Sequence, residues 1–155
     1  EVLTEIGFIM RGEIIWQKSK GANANFAWGS WLSASNPVIR DIHEYCLVFS
    51  KDSMKNSSGG VSTIEKDEFM ESTLSIWNIN PEKAKKIGHP APFPIELPKK
   101  FINLYSFKND LVLDPFIGSG TTAVASKLLK RNYVGYEINK DYIEIANKRL
   151  ETETS

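Results

Sequence analysis

Residues 111–137 read LVLDPFIGSGTTAVASKLLKRNYVGYE. Leu111-Val112-Leu113 is an apolar run short enough for a buried parallel strand. The chain then turns through Asp114-Pro115-Phe116-Ile117-Gly118-Ser119-Gly120. Ala123, Val124, Leu128 and Leu129 follow at spacings that share one face of a helix. A second strand, Tyr133–Tyr136, ends on Glu137. Gly118 and Gly120 can take positive φ and carry no Cβ, so backbone and ligand can approach closely. Thr121 or Thr122 is placed to cap the helix, whose first turn presents free N–H groups. A carboxylate at position 137 can accept hydrogen bonds from both hydroxyls of a ribose. The spacing Gly118-x-Gly120-x-x-Ala123, with an acid about 20 residues on, satisfies the dinucleotide fingerprint. A tight turn would account for the glycines alone, but not for both strands, the helix and the acid together. The unit therefore predicts a site for an adenosine-bearing cofactor.

Asp114 narrows the ligand. A nicotinamide cofactor brings a pyrophosphate, which an Asp at the mouth of the first strand would repel. S-adenosylmethionine has no phosphate and brings an ammonium and a sulfonium, which an Asp attracts. The stretch DPFIGSGTTAVA resembles motif I of the amino-methylating DNA methyltransferases, which modify adenine N6 or cytosine N4. Upstream, His89-Pro90-Ala91-Pro92-Phe93-Pro94 and then Glu96-Leu97-Pro98 resemble their motif X, which precedes motif I in the permuted β-type order. The resemblance runs from about Gly7 to Leu150. It implies a cofactor groove lined by Asp114, Phe116, Gly118, Gly120, Thr121 and Glu137, with Pro92 and Phe93 on another wall. Ile138 is placed to contact the adenine face.

The composition is compatible with this. The 155 residues carry 19 Lys+Arg against 19 Asp+Glu, which excludes a polybasic tail but not a local basic stripe for DNA. Cys46 is the only cysteine, so an intrachain disulfide is excluded and a reducing prokaryotic cytoplasm fits. It lies in the apolar run Tyr45–Phe49 and reads as a small core residue rather than a nucleophile. No apolar run approaches the ~20 residues of a membrane span. Two histidines and one cysteine give no metal-ligand cluster, so no metal is expected.

Taken in order, residues 1–8 read as the end of a helix already under way, with Gly7 as its stop. The first residue is not Met, and the expectation is a fragment, a split gene product or a processed chain. Arg11–Lys18 is a predicted strand. Residues 19–37 form a long loop with Phe26, Trp28 and Trp31, and a loop of that length is usually functional or mobile. Its tryptophans, Trp28 and Trp31, are candidates for stacking on or wedging into DNA; packing on the domain's own surface is the alternative. Asp41–Ser50 is a second strand, antiparallel to the first, and His43-Glu44-Tyr45 corresponds to motif VIII of the resembled family. Alternation places His43 and Tyr45 on one face, and the resemblance implies that this hairpin lies beside the target-base pocket. Lys51–Gly60 has linker composition, residues 63–70 a short helix, and Ser72–Ile79 an extended segment, with Trp77 a core anchor or a lid. Lys51, Lys55 and Lys66 are candidate phosphate contacts or plain surface charges. Ile95–Phe107 is predicted as an amphipathic helix with Leu97, Phe101 and Leu104 inward and Lys99 and Lys100 outward. Asn139 and Asp141 can cap a last helix, Tyr142–Leu150, with Ile143, Ala146 and Leu150 inside.

The expected fold class is α/β, part of a Rossmann-like S-adenosylmethionine-dependent methyltransferase fold: a mostly parallel sheet with an antiparallel hairpin, incomplete in this chain. Residues 1–50 would be the hairpin portion of the catalytic domain, 51–80 a linker and small target-recognition region, and 81–155 the cofactor-binding portion. The resemblance implies a catalytic Asp/Ser/Asn-Pro-Pro-Tyr motif, and none occurs in residues 1–155. In the permuted order it lies N-terminal to Glu1, so no catalytic residue is expected here and the chain alone is expected to be inactive. The partners expected are DNA and either the missing N-terminal half or a second copy. A non-catalytic DNA-binding or accessory subunit remains an alternative, as does a nicotinamide-dependent oxidoreductase, against which Asp114 counts.

Overall fold

The computed structural model describes residues 1–18, 31–37, 39, 41–82 and 93–154. A one-turn helix α1 (Val2–Glu5) leads into β1 (Phe8–Gln17), and Gly7 at φ 97° makes the turn between them. Strand β1 pairs antiparallel with β2 (His43–Lys51), from Phe8 opposite Lys51 to Gln17 opposite His43. The register slips at Arg11, between Met10 and Gly12. The Arg11 guanidinium donates to Ser50 Oγ at 2.9 Å and to the Met54 carbonyl, and lies 5.3 Å from the Tyr105 ring centre. Helix α2 (Lys66–Ser72) starts later than the pattern at 63–70 suggests, with Asp67 and Glu68 in its first turn as expected. The segment after it is extended only over β3 (Ile76–Asn78), which pairs parallel with the end of β1. The first sheet thus has the order β2-β1-β3.

Helix α3 (Glu96–Tyr105) supplies the apolar side chains that cover this sheet. Ile14, Trp16, Trp77, Ile79 and Leu97 form the buried cluster, with Cys46, Val48, Phe93, Phe101 and Leu104 packed against it. The buried indole N–H groups are satisfied: Trp16 Nε1 donates to the Ile79 carbonyl at 2.8 Å and Trp77 Nε1 to the Ser72 carbonyl at 3.2 Å. Trp77 is therefore a core anchor and not a lid. Lys100 corrects the expectation that it faces outward. It is 7% exposed, and its Nζ donates to Glu71 Oε1 at 3.1 Å and Ser72 Oγ at 3.3 Å, above the Trp77 ring. A lysine stem covers apolar surface well when its head finds acceptors, so helical spacing alone cannot place it.

The second unit is β4 (Leu111–Asp114), α4 (Thr121–Leu128), β5 (Asn132–Gly135) and α5 (Lys140–Glu153). Strands β4 and β5 pair in parallel, Leu111 with Asn132 through Asp114 with Gly135. The small residues Ala123, Val124, Ala125 and Ser126 bury the middle of α4, which packs against α3, β5 and α5. The buried Ser126 hydroxyl donates back to the Thr122 carbonyl at 2.7 Å. Leu128, expected on the inner face, is 40% exposed at the helix end. The architecture is α/β: β1–β3 and β4–β5 are parallel pairs and β1–β2 is the antiparallel hairpin.

Arg131, just before β5, ties the two units together. Its guanidinium donates to Thr63 Oγ1, the Leu129 and Ser106 carbonyls and Ser106 Oγ, at 2.6 to 3.1 Å. Burial pulls its pKa below the ordinary arginine value, with Asp110 opposing. The Lys108 amide, ahead of β4, donates to the Val61 carbonyl at 2.9 Å. The segment 61–63 is therefore fixed at the starts of β4 and β5, and the residues of the glycine loop lie at their ends.

Candidate cofactor-binding site

At the end of β4 the Asp114 carboxylate accepts from the Phe116 amide at 3.0 Å, an Asx turn that bends the chain over Pro115. The ends of the two strands are tied by Tyr136 N–H to the Asp114 carbonyl and Ile117 N–H to the Tyr136 carbonyl, both 3.0 Å. Gly135 makes this closeness possible, because a Cβ there would lie 2.2 Å from Ile117 Cδ1. The loop then runs through Gly118 at φ 51° and Gly120 at φ 81°, both in the left-handed region. Gly120 is the N-cap of α4 and brings no side-chain cap bond. The expected threonine cap is not used. Thr121 is the first helical residue, 4% exposed, and its hydroxyl accepts from Arg149 at 2.9 Å.

Glu137 sits just past β5 and reaches back over the loop. Its Oε2 accepts from Gly118 N–H at 3.0 Å, and its Oε1 from the Ile138 and Asn139 amides at 2.9 and 2.8 Å. The acid is thus oriented by three backbone donors on a half-buried rim. Phe116 is 88% and Ile138 fully exposed, so two apolar side chains flank the rim without packing on the protein's own core. Asn139 caps α5, as expected, accepting from Asp141 N–H at 2.9 Å. The structure therefore brings Asp114, Phe116, Gly118, Gly120, Thr121, Glu137 and Ile138 to one end of the β4–β5 pair.

The other candidates lie elsewhere: on the first sheet, in the segments that flank it, or outside the described residues. Phe93 packs on the buried cluster. Pro92 and Trp28 lie outside the described residues, and Trp31 is 69% exposed. His43 and Tyr45 share a face of β2, their rings edge-on at 5.0 Å. Their cross-strand partners Gln17 and Ile15 put them on the face opposite Trp16 and Ile14, away from the core cluster, and Tyr45 is 61% exposed. Glu44, on the other face, pairs with Lys18. Lys51, opposite Phe8, lies at the far end of the hairpin from His43. Lys51 and Lys55 line a hollow of about 1110 Å³ together with Phe107, which precedes β4, so they sit at the starts of the strands rather than at the glycine loop. Among the described residues no three His, Cys, Asp or Glu side chains cluster as metal ligands, and no helix is long and apolar enough to cross a membrane.

Sequence reasoning missed Arg149. It is 9% exposed, on the inner side of α5, one turn beyond the buried Ala146. The signal was available: position 149 falls on the same stripe as 146, and Glu153 follows at i+4 to neutralise it.

The sequence model of the DNA methylase family matches residues 2–148. The type II methyltransferase M.MjaI of Methanocaldococcus jannaschii is 34% identical over 161 residues, covering 97% of this chain and 52% of that protein. The type II methyltransferase M.HinfI of Haemophilus influenzae is 31% identical over 158 residues, covering 96% of this chain and 41% of that protein. The TTHA0409 protein of Thermus thermophilus, crystallised with S-adenosyl-L-methionine, superposes with a TM-score of 0.78 at 28% identity, covering 97% of this chain and 56% of that one. This chain spans about half the length of these relatives. With the family model matched over nearly the whole sequence, the chain belongs to the DNA methylase family.

Proposed function

We propose that this chain holds S-adenosylmethionine in a site-specific DNA methyltransferase that methylates the exocyclic amino nitrogen of adenine (N6) or cytosine (N4). The observation that carries the reading is the Glu137 carboxylate bonded across the glycine loop to Gly118 N–H. It presents an acid at the end of the second strand on the rim of the loop, the position from which a carboxylate accepts hydrogen bonds from ribose hydroxyls in nucleotide-binding units of this topology. Ile138 and Phe116 offer apolar faces for a purine, and Asp114 offers negative charge for an ammonium. The Asp114 carboxylate would repel a pyrophosphate, which disfavours the oxidoreductase. Bound there, S-adenosylmethionine supplies an electrophilic methyl group on a sulfonium. The chain's own contribution is orientation and charge matching. His43 and Tyr45 are the candidate contacts to an extruded base, Tyr45 through its exposed ring; Trp28 and Trp31 are candidate DNA contacts.

The Pro-Pro-Tyr motif that would polarise the amino group does not occur in residues 1–155, so in this reading another segment supplies it. Either the remaining half of such an enzyme or a second copy completes the fold. Leu111 and Leu113, 65% and 60% exposed on one face of β4, support a further covering layer. The test is calorimetric titration of S-adenosylmethionine into the intact protein, with NADH as control and Glu137→Ala as the site control. Saturable binding of S-adenosylmethionine alone, weakened in the variant, is the expected result. Binding of NADH instead would overturn the reading.

A further inference from the structure

Arg149 has no part in the function proposed above, yet it is the most elaborately bonded side chain on α5. Its Nη1 donates to the Ser119 carbonyl at 3.0 Å, to Thr121 Oγ1 at 2.9 Å and, at the limit, to Ser119 Oγ at 3.4 Å. Its Nε and Nη2 go to the two oxygens of Glu153 at 2.8 and 3.3 Å. Every one of these loop partners belongs to the segment whose front is bonded by Glu137 at Gly118. The loop is therefore gripped from two sides within four residues, by an acid at the front and by an arginine behind.

We propose that Arg149, held by Glu153, is a positioning residue for the cofactor loop. A helix that needed only to dock here would be served as well by an apolar side chain, since a buried ion pair rarely stabilises more than its hydrophobic replacement. What the guanidinium adds is direction. It fixes the Ser119 carbonyl inward and so sets the plane of the Ser119–Gly120 peptide. That plane decides how Gly118 and the first turn of α4 face the groove. The close approach is built for it: a Cβ on Gly120 would lie 2.7 Å from Ala146 Cβ, one turn before Arg149. Glu153 cancels the arginine's charge, so the loop is fixed without placing a net cation behind a site that receives a sulfonium. The inference rests on the S-adenosylmethionine reading, and failure of the unsubstituted protein to bind that ligand would count against that reading rather than against the grip on the loop.

The test uses the intact protein with Arg149→Met, Arg149→Lys and Glu153→Gln, and three readouts. These are S-adenosylmethionine affinity by calorimetry, duplex DNA affinity without cofactor, and hydrogen exchange of the 118–122 amides without cofactor. Arg149→Met should weaken S-adenosylmethionine binding by about ten-fold, the scale of one charge-assisted hydrogen bond, and speed exchange in the loop. DNA affinity should stay within about two-fold, because the grip acts on the loop alone. Arg149→Lys should recover part of the loss, and Glu153→Gln should fall between. Unchanged cofactor affinity in folded Arg149→Met, or a parallel loss of cofactor and DNA affinity, would overturn the proposal. If Arg149→Met does not fold, Glu153→Gln decides by the same criterion.

Discussion

Gly120→Ala separates two physical costs at one position. Gly120 stands at φ 81°, and an L-residue held in the left-handed region costs about 1–2 kcal/mol. The added Cβ would also meet Ala146 Cβ at 2.7 Å and Ala146 Cα at 3.0 Å. Those atoms belong to a helix backbone and its first side-chain carbon, which cannot swing away, so crowding adds about 1–3 kcal/mol. The sum is about 2–5 kcal/mol, or a fall in Tm of about 4–20 °C for a domain of this size. Ala146→Gly removes the obstructing Cβ and costs about 1 kcal/mol in helix propensity. Independent effects would therefore give about 3–6 kcal/mol for the double variant, whereas relief of the contact should leave about 2–3 kcal/mol. Urea and thermal unfolding of the four proteins measure the coupling directly. Additivity within about 0.5 kcal/mol would refute the close approach of α5 to the loop.

Three further outcomes can be checked by similar means. Arg131→Met removes four hydrogen bonds to Thr63, Ser106 and Leu129 at the junction of the two units, leaving the two hydroxyls only their bonds to Asn103 and the Ile102 carbonyl, and should destabilise by about 3 kcal/mol, with Arg131→Lys recovering only part; a cost under about 0.5 kcal/mol would remove Arg131 as the tie. Lys100→Met should change stability by under about 1 kcal/mol because the stem's volume is kept and Glu71 stays hydrated, whereas Lys100→Ala should cost about 2 kcal/mol; equal costs would show that the charge and not the stem matters. Burial and, secondarily, Glu44 push the Cys46 thiol pKa up, so the folded thiol stays protonated where the unfolded one ionises. Stability should then be full below about pH 8.5 and decline above it, the decline should be absent in Cys46→Ser, and a thiol reagent should react faster with the urea-unfolded chain than with the folded one.

The strand–glycine loop–helix–strand structure of residues 111–137 was legible because its determinants are local. A glycine is favoured where φ is positive, an apolar tripeptide makes a short parallel strand, and an acid at a strand end stands near the preceding loop through the parallel pairing; the expected burial of that strand is not met, since Leu111 and Leu113 are 65% and 60% exposed. Asn139 as a cap and His43 beside Tyr45 on one face follow from equally short-range rules. The residues misjudged were long polar side chains on helices. Helical periodicity assigns Lys100 outward with its neighbour Lys99 and passes over Arg149, although it shares the stripe of Ala146, because a charged head on a long stem reads as a surface group. Whether one turns inward depends on acceptors supplied by distant segments: Glu71 and Ser72 for Lys100, Ser119 and Thr121 for Arg149. Thr121 likewise lost its capping role to a partner 28 residues later. The sequence by itself determined the fold class and the cofactor loop, which local conformational and pairing preferences specify. Tertiary structure decided which charged side chains are bonded to that loop and at the junction of the two units, because burying a charge is favourable only where packing brings its counter-groups within hydrogen-bonding distance.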